Sequence, residues 1–141
     1  MGHPTIYPTG VTVYNPEKCW NGFTIFQALE VGAVLMNMNG RENKVWKGVH
    51  GFPNKIFPGG YLMTSRGSRD GRYGVQDGLD LVQIDWDGNV VWKFDRNEYI
   101  EDPGIPGRWM ARSHHDYQRE GSTTGYYAPG MEPKTDSGNT L

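Results

Sequence analysis

Alternation with a period of two is the clearest pattern in this chain. In Leu79–Phe94, LDLVQIDWDGNVVWKF, the residues Val82, Ile84 and Trp86 alternate with Leu81, Gln83 and Asp85. Beyond Asp87-Gly88, the residues Val90, Trp92 and Phe94 alternate with Val91 and Lys93. Alternation on both sides of an Asp-Gly step predicts a β-hairpin. Glycine has no Cβ and aspartate tolerates the left-handed region, so the pair supplies the positive φ values of a tight turn.

An earlier stretch echoes this one. Ala33–Lys47 reads AVLMNMNGRENKVWK. Aligning Gly40 with Gly88 pairs Met36 with Ile84, Asn37 with Asp85, Met38 with Trp86 and Asn39 with Asp87. Two extra residues assigned to the first turn bring Trp46 onto Trp92, 46 positions later (92 − 46). A repeat of roughly 40–50 residues built from strands has the period of a β-propeller blade. The alternative is two unrelated hairpins in a sandwich.

The rest of the chain extends the pattern. Thr9–Val13 and Phe23–Phe26 read as strands around a turn at Asn15-Pro16. Ala33–Met38, Lys44–Val49, Asn54–Phe57 and Tyr61–Thr64 give four more, the last two joined at Gly59-Gly60. Asp95–Arg112, with Pro103 and Pro106, reads as a long loop, with at most a single turn at Tyr99–Asp102. His114–Gln118 then takes the place of Asn54–Phe57 as the third strand of a second unit. After the insertion STTGYYAPGMEPKTDS, Gly138-Asn139 reads as a delayed turn and Thr140-Leu141 as the returning strand. No window has helical periodicity, so the predicted class is all-β. The expected parts of one propeller domain are N-terminal strands (1–31), a first blade (32–64), an Arg/Gly-rich connection (65–78) and an incomplete second blade (79–141). Two blades cannot close a ring that typically uses four to eight. The remainder is therefore expected on another chain or in a missing C-terminal part. A self-contained two-sheet domain, the alternative, would leave Trp46 and Trp92 facing water.

Composition adds little chemistry. Fourteen Lys plus Arg against 16 Asp plus Glu give a net charge of −2, so nothing calls for nucleic acid or an anionic membrane as partner. Twenty glycines and nine prolines suit short strands and tight turns. No apolar run approaches the ~20 residues of a membrane span. The opening MGHPTIYPTG has neither the charged nor the apolar region of a secretion signal, which predicts a cytoplasmic chain. The single cysteine, Cys19, excludes an internal disulfide and is expected to be a small buried or half-buried filler.

The segments GVTVYNPEKCWNGFTIF, GAVLMNMNGRENKVWK, NKIFPGGYLMTS and HHDYQREG followed by GNTL, in that order, resemble the arylsulfotransferase family of six-bladed β-propellers. The resemblance runs from about Gly10 to Leu141 and corresponds to the N-terminal part of a family member. It implies transfer of a sulfuryl group between phenolic compounds through a transiently sulfated histidine at the central channel, with no cofactor. The matching position lies in His114-His115-Asp116, with His115 the closer fit. The best-known members carry a secretion signal that this chain lacks, and by that resemblance a periplasmic place is the alternative to a cytoplasmic one. The Tyr126-Tyr127 insertion departs from the family pattern, and the family's other channel residues belong to later blades.

Read from the residues, a channel histidine can serve as nucleophile or general base near neutral pH, or bridge two blades structurally. On a strand, His114, His115 and Asp116 point to alternate faces, so one histidine at most lines the channel and Asp116 does not orient His115. Asp116 is expected to cap a turn or pair with Arg112. The same alternation argues against a metal site, because consecutive strand residues cannot converge on one ion. Arg66, Arg69, Arg72, Arg108 and Arg112 fall in loops. Arg112 and Arg66, flanking the two proposed inner strands, are candidates for an anion clamp, since a guanidinium holds sulfate through two parallel hydrogen bonds. His50 is expected to be structural. Tyr126 and Tyr127 are candidates for a lid or a partner contact. The small-molecule reaction could alternatively be a lyase or hydrolase step on another anionic aromatic compound. A non-catalytic binding or scaffold propeller is the third possibility.

Overall fold

Asn37 and Asp85 each start a tight turn. In the first turn Gly40 N–H donates to Asn37 O at 3.0 Å and Asn37 N–H to Arg41 O at 3.0 Å. In the second, Gly88 N–H donates to Asp85 O at 3.1 Å and Asp85 N–H to Asn89 O at 2.9 Å. Gly40 and Gly88 take positive φ, 74° and 93°, as the tight turns require.

These turns belong to a computed structural model that describes residues 11, 13–74, 76–120 and 139–141. Among them the structure is all-β, with nine strands in three antiparallel sheets and no helix. The first sheet has the order β1 (Phe23–Ala28), β2 (Gly32–Asn37), β3 (Glu42–Lys47). The second runs β4 (Lys55–Phe57), β5 (Tyr61–Thr64), β6 (Leu81–Ile84), β7 (Val90–Phe94). The third is the hairpin of β8 (Glu98–Asp102) and β9 (Ile105–Met110). Among the described residues no helix is long and apolar enough to cross a membrane.

The three strands of the first sheet repeat as β5, β6 and β7 of the second. Ile25 pairs with Leu35 as Met63 pairs with Gln83, and Met36 pairs with Glu42 as Ile84 pairs with Val90. Each hairpin carries a bulge at the same place, between Leu35 and Met36 and between Gln83 and Ile84. The turns are equally long, so the expected two-residue excess in the first turn is absent. Ala33 therefore faces Trp46 as Leu81 faces Phe94, and Trp46 corresponds to Phe94, 48 positions on (94 − 46), not to Trp92. The counterpart of Trp92 is Lys44, since Leu35 pairs with Lys44 as Gln83 pairs with Trp92.

Strand grouping also departs from expectation. The stretch 32–64 is divided: β2 and β3 pair with β1, whereas β4 and β5 pair onward with β6. The connection 65–78 thus lies inside the second sheet, between β5 and β6. The region expected as the loop Asp95–Arg112 contains the β8–β9 hairpin, turning at Pro103-Gly104 with Gly104 at φ 78°. His114–Gln118 is not a strand among the described residues. The return of Thr140-Leu141 is present: Arg119 and Thr140 form a bridge, and Gln118 and Leu141 exchange both backbone hydrogen bonds at 2.8 Å. Residues 121–138, including Tyr126 and Tyr127, lie outside the described residues. The described sheets do not close into a ring. Cys19, expected inside, is exposed in the turn after Pro16.

The core has two layers because the second sheet is covered on both faces. Ala33, Leu35 and Trp46 of the first sheet pack with Leu62, Val82 and Ile84 of the second. On the other face Phe57, Met63 and Leu81 pack with Tyr117. β6 is consequently buried at all four positions. Each such aliphatic side chain contributes about 1.5–3 kcal/mol by leaving water. Gln83 shares the second face, where Arg119, 2% exposed, donates to its amide oxygen. The Arg119 guanidinium lies 4.6 Å from the Trp92 ring centroid and 5.7 Å from that of Phe57.

Candidate functional site

The β3–β4 connection, the β5–β6 connection and the segment after β9 meet in one place. Backbone hydrogen bonds tie them there: His50 N–H to Ser65 O at 2.7 Å, Gly78 N–H to Ser113 O at 2.9 Å, and Arg112 N–H to Gly78 O at 2.9 Å. A Cβ on Gly78 would fall 2.3 Å from the Ser113 hydroxyl and 3.0 Å from its carbonyl oxygen, so the two segments approach closely here.

Between the three segments lies a cleft of about 290 Å³. Its walls include His50, Phe52 and Pro53 from the first connection, Ser68 and Arg69 from the second, and Ser113, His114 and Tyr117 from the third. Tyr117 is the fixed wall. Its buried hydroxyl donates to Met63 O at 2.6 Å, with Pro53 O also in range at 3.0 Å, and burial pushes its pKa well above the ordinary phenol range.

His114 lines this cleft, and His115 does not. The alternation expected of them is replaced by a bend: His115 has φ 63°, which swings the two rings to the same side. Their centroids are 4.1 Å apart in an edge-to-face contact, and the His115 ring also lies 6.1 Å from that of Phe52. Both histidines are exposed. His50, expected to be structural, stands across the cleft and is likewise exposed. No hydrogen bond among the described residues engages these three imidazoles.

The expected arginine clamp is occupied by the protein's own carboxylates. Arg66 donates from Nε to Asp80 at 2.9 Å, and Asp80 is buried beneath it. Arg112 donates to Glu98 at 2.6 Å and to Asp77 at 3.2 Å; Glu98 first, then Asp77, holds its guanidinium above the ordinary range. The densest pairing was not expected. Arg69 grips Asp102 through two parallel bonds, 2.9 and 2.5 Å, and reaches Asp77 at 3.4 Å. These bonds hold the Asp102 carboxyl below the usual carboxylate range and the Arg69 guanidinium above its own. Asp116 pairs with Lys55 at 2.6 Å rather than with Arg112, and that ammonium is the main cause of its lowered pKa.

Two parts of the site had no signal in the sequence. His50 stands far from the His pair in the chain, and Arg69 is one of several loop arginines until β8 brings Asp102 to it. Among the described residues no three His, Cys, Asp or Glu side chains gather closely enough to hold a metal ion. Comparison with protein families, with curated proteins and with solved structures found no match for this chain.

Proposed function

We propose that this chain forms the first sheets of an arylsulfotransferase-like propeller, and that its cleft presents the histidine that carries the sulfuryl group. The observation that carries this reading is the edge-to-face pair His114–His115, with His114 lining the cleft and no hydrogen bond engaging either ring among the described residues. A nucleophilic imidazole needs an uncommitted nitrogen lone pair. In the proposed reaction that nitrogen attacks the sulfur of an aryl sulfate, and the sulfur–oxygen bond to the aryl group breaks. The phenolate departs and takes a proton. The oxygen of a second phenol then attacks the same sulfur, the sulfur–nitrogen bond breaks to release the imidazole, and the phenol gives up its proton to solvent. The second sheet, covered on both faces, suits a stack of blades. Further blades, from the same protein or a partner, would complete the ring.

The test is transfer from phenyl sulfate to an added phenol by the full-length protein. The expected result is transfer that is lost in His114→Ala or His115→Ala, with a sulfuryl adduct on the peptide carrying these residues after rapid quenching. Absence of transfer, or full transfer by both variants, would overturn the assignment. A non-catalytic binding propeller is the second reading. It is favoured by the engagement of Arg66, Arg69 and Arg112 with the protein's own carboxylates.

A further inference from the structure

Two aromatic pairs in this protein meet edge to face at nearly the same spacing. Trp46 and Trp86 have ring centroids 5.4 Å apart and planes at 81°. Tyr99 and Trp109 have centroids 5.7 Å apart and planes at 70°. Rings at such an angle form a corner, and their electron-rich faces can share one guest. A cation within about 6 Å of a ring centroid is attracted to that face. The first corner has its guest. The Lys44 ammonium lies 5.8 Å from the Trp46 centroid and 5.4 Å from that of Trp86. The second corner is built alike, yet among the described residues no Lys or Arg stands over Tyr99 or Trp109.

The β8–β9 hairpin turns this corner outward. Tyr99 pairs with Trp109 across the two strands, and each is half-exposed. The Tyr99 ring lies across Gly107, whose added Cβ would fall 2.6 Å from the hydroxyl. Along β8 the side chains alternate: Ile100 and Asp102 face inward, and Tyr99 and Glu101 face outward. The hairpin's other charges are turned away or engaged. Asp102 meets Arg69, and Arg69 and then Arg108 lower its pKa, which places Arg108 on the inner side. Glu98 accepts from Arg112. Glu101 is exposed and in no ion pair among the described residues, so its charge adds to the negative potential of the two rings. A cross-strand aromatic pair stabilises any hairpin. That role does not call for half of each ring in water beside an unpaired carboxylate.

The kind of cation follows from hydration. A primary ammonium is a compact, strongly hydrated charge. Lys44 can bring one to its corner because the chain tethers it there. A free cation suits a half-exposed corner better when its charge is spread over methyl groups, which hold water weakly and pack on ring faces. We infer that Tyr99, Trp109 and Glu101 form a binding site for a trimethylammonium group carried by a small free ion of the choline type. The two rings take the methyl groups, and the Glu101 carboxylate faces the charge. The site lies outside the cleft of His50 and His114 and does not depend on the proposed sulfuryl chemistry.

The test is titration of the full-length protein with choline, read from the Trp109 indole N–H resonance. A saturable shift is expected there. Choline should bind about tenfold tighter than its uncharged isostere, in which carbon replaces the ammonium nitrogen, because only the cation is drawn to the ring faces. Glu101→Gln should weaken choline several-fold and leave the isostere unchanged, and this exposed position does not threaten the hairpin. Trp109→Leu should remove the difference between the two ligands. Glu101→Lys supplies an ammonium beside the corner, as Lys44 does in the other, and should block choline. Equal affinity for choline and the isostere, no saturable shift at Trp109, or undiminished choline binding in both Glu101 variants would overturn the inference. Phosphatidylcholine vesicles separate the two sources of the group: the protein is expected to stay in solution, and cosedimentation would overturn the assignment to a free ion in favour of a lipid headgroup.

Discussion

Asn37 and Asp85 do the same work in two different hairpins. Asn37 Oδ1 accepts the backbone N–H groups of Asn39 and Arg41, both at 3.0 Å. Asp85 Oδ1 accepts those of Asp87 and Asn89, at 2.9 and 2.8 Å. An amide oxygen and a carboxylate oxygen fill one geometric place, and the turn glycine three residues on completes it. The carboxylate differs in one respect. Its bonds to Asn89, side chain first, hold the Asp85 pKa below the usual range.

The repeat therefore supplies its own substitution. Asp85→Asn keeps the acceptor that Asn37 already provides in the first hairpin, and removes the charge. A lowered folded pKa gives stability that is present above the unfolded value near 3.9 and lost as pH falls through the folded value. The variant is expected to fold normally at neutral pH and to lose less stability than the parent on acidification below pH ~4. Thermal unfolding across an acid series measures this. An acid limb identical to that of the parent would show that Asp85 does not contribute to it.

Trp46 is 3% exposed, donates its indole N–H to Asp85 O at 3.1 Å, and meets Trp86 edge-on at 5.4 Å. It thus couples the first sheet to the turn of the second. Trp46→Ala should cost about 3–5 kcal/mol by leaving a cavity. Trp46→Phe retains most of the packing and removes one donor, so a loss of about 1–2 kcal/mol is expected. Denaturant unfolding with an unchanged m-value reads both. A neutral Trp46→Phe would mean that the indole hydrogen bond is dispensable.

The hairpins were legible because turn chemistry is local. Asn37, Gly40, Asp85 and Gly88 declare the two turns in a few residues each. The size of tryptophan draws Trp46 onto Trp92 in the sequence, at the cost of two extra turn residues that the structure does not have; the register sets Trp46 opposite Ala33 and Phe94 opposite Leu81. The β8–β9 hairpin was hidden by Pro103 and Pro106, which read as breakers; Pro103 sits in the turn and Pro106 in a strand of a two-stranded sheet. Strand alternation would put His114 and His115 on opposite faces, but His115 has φ 63° and the segment is not a strand. A positive φ at a single non-glycine residue leaves no mark in the sequence, and it changes the site. The ion pairs that occupy Arg66 and Arg112 join residues 14 apart in each case, Arg66 with Asp80 and Arg112 with Glu98, and no short-range pattern announces them.

Asp77 ties two arginines from separate segments. Its carboxylate meets Arg69 and Arg112, and its backbone carbonyl accepts the Arg69 N–H at 2.7 Å. Asp77→Ala should loosen the β5–β6 connection locally rather than unfold the protein. Faster amide hydrogen exchange is expected at Arg69 and Leu79, with little change at Val82 in the buried β6 strand. Exchange that accelerates equally across β6 would show instead that Asp77 supports the global fold.

Tyr117 joins the core to the cleft, and its chemistry predicts an alkaline limb. Its hydroxyl serves Met63 O and Pro53 O, and Lys55 both donates to Tyr117 O at 2.6 Å and lies 5.1 Å over the ring. Tyr117→Phe should cost about 1–3 kcal/mol, because the buried Met63 carbonyl loses its donor. Burial, the largest cause, raises the folded phenol well above its ordinary value of 10.0. Stability from this group is therefore full below the unfolded value and falls as pH rises past it, since only the unfolded chain releases the proton. Removing the hydroxyl removes that dependence. Tyr117→Phe is expected to be less stable than the parent at pH ~8 and to lose less on going above pH ~10, where the unfolded phenol ionises. Parallel stability curves for the two proteins through that range would contradict the buried, protonated hydroxyl on which the cleft wall depends.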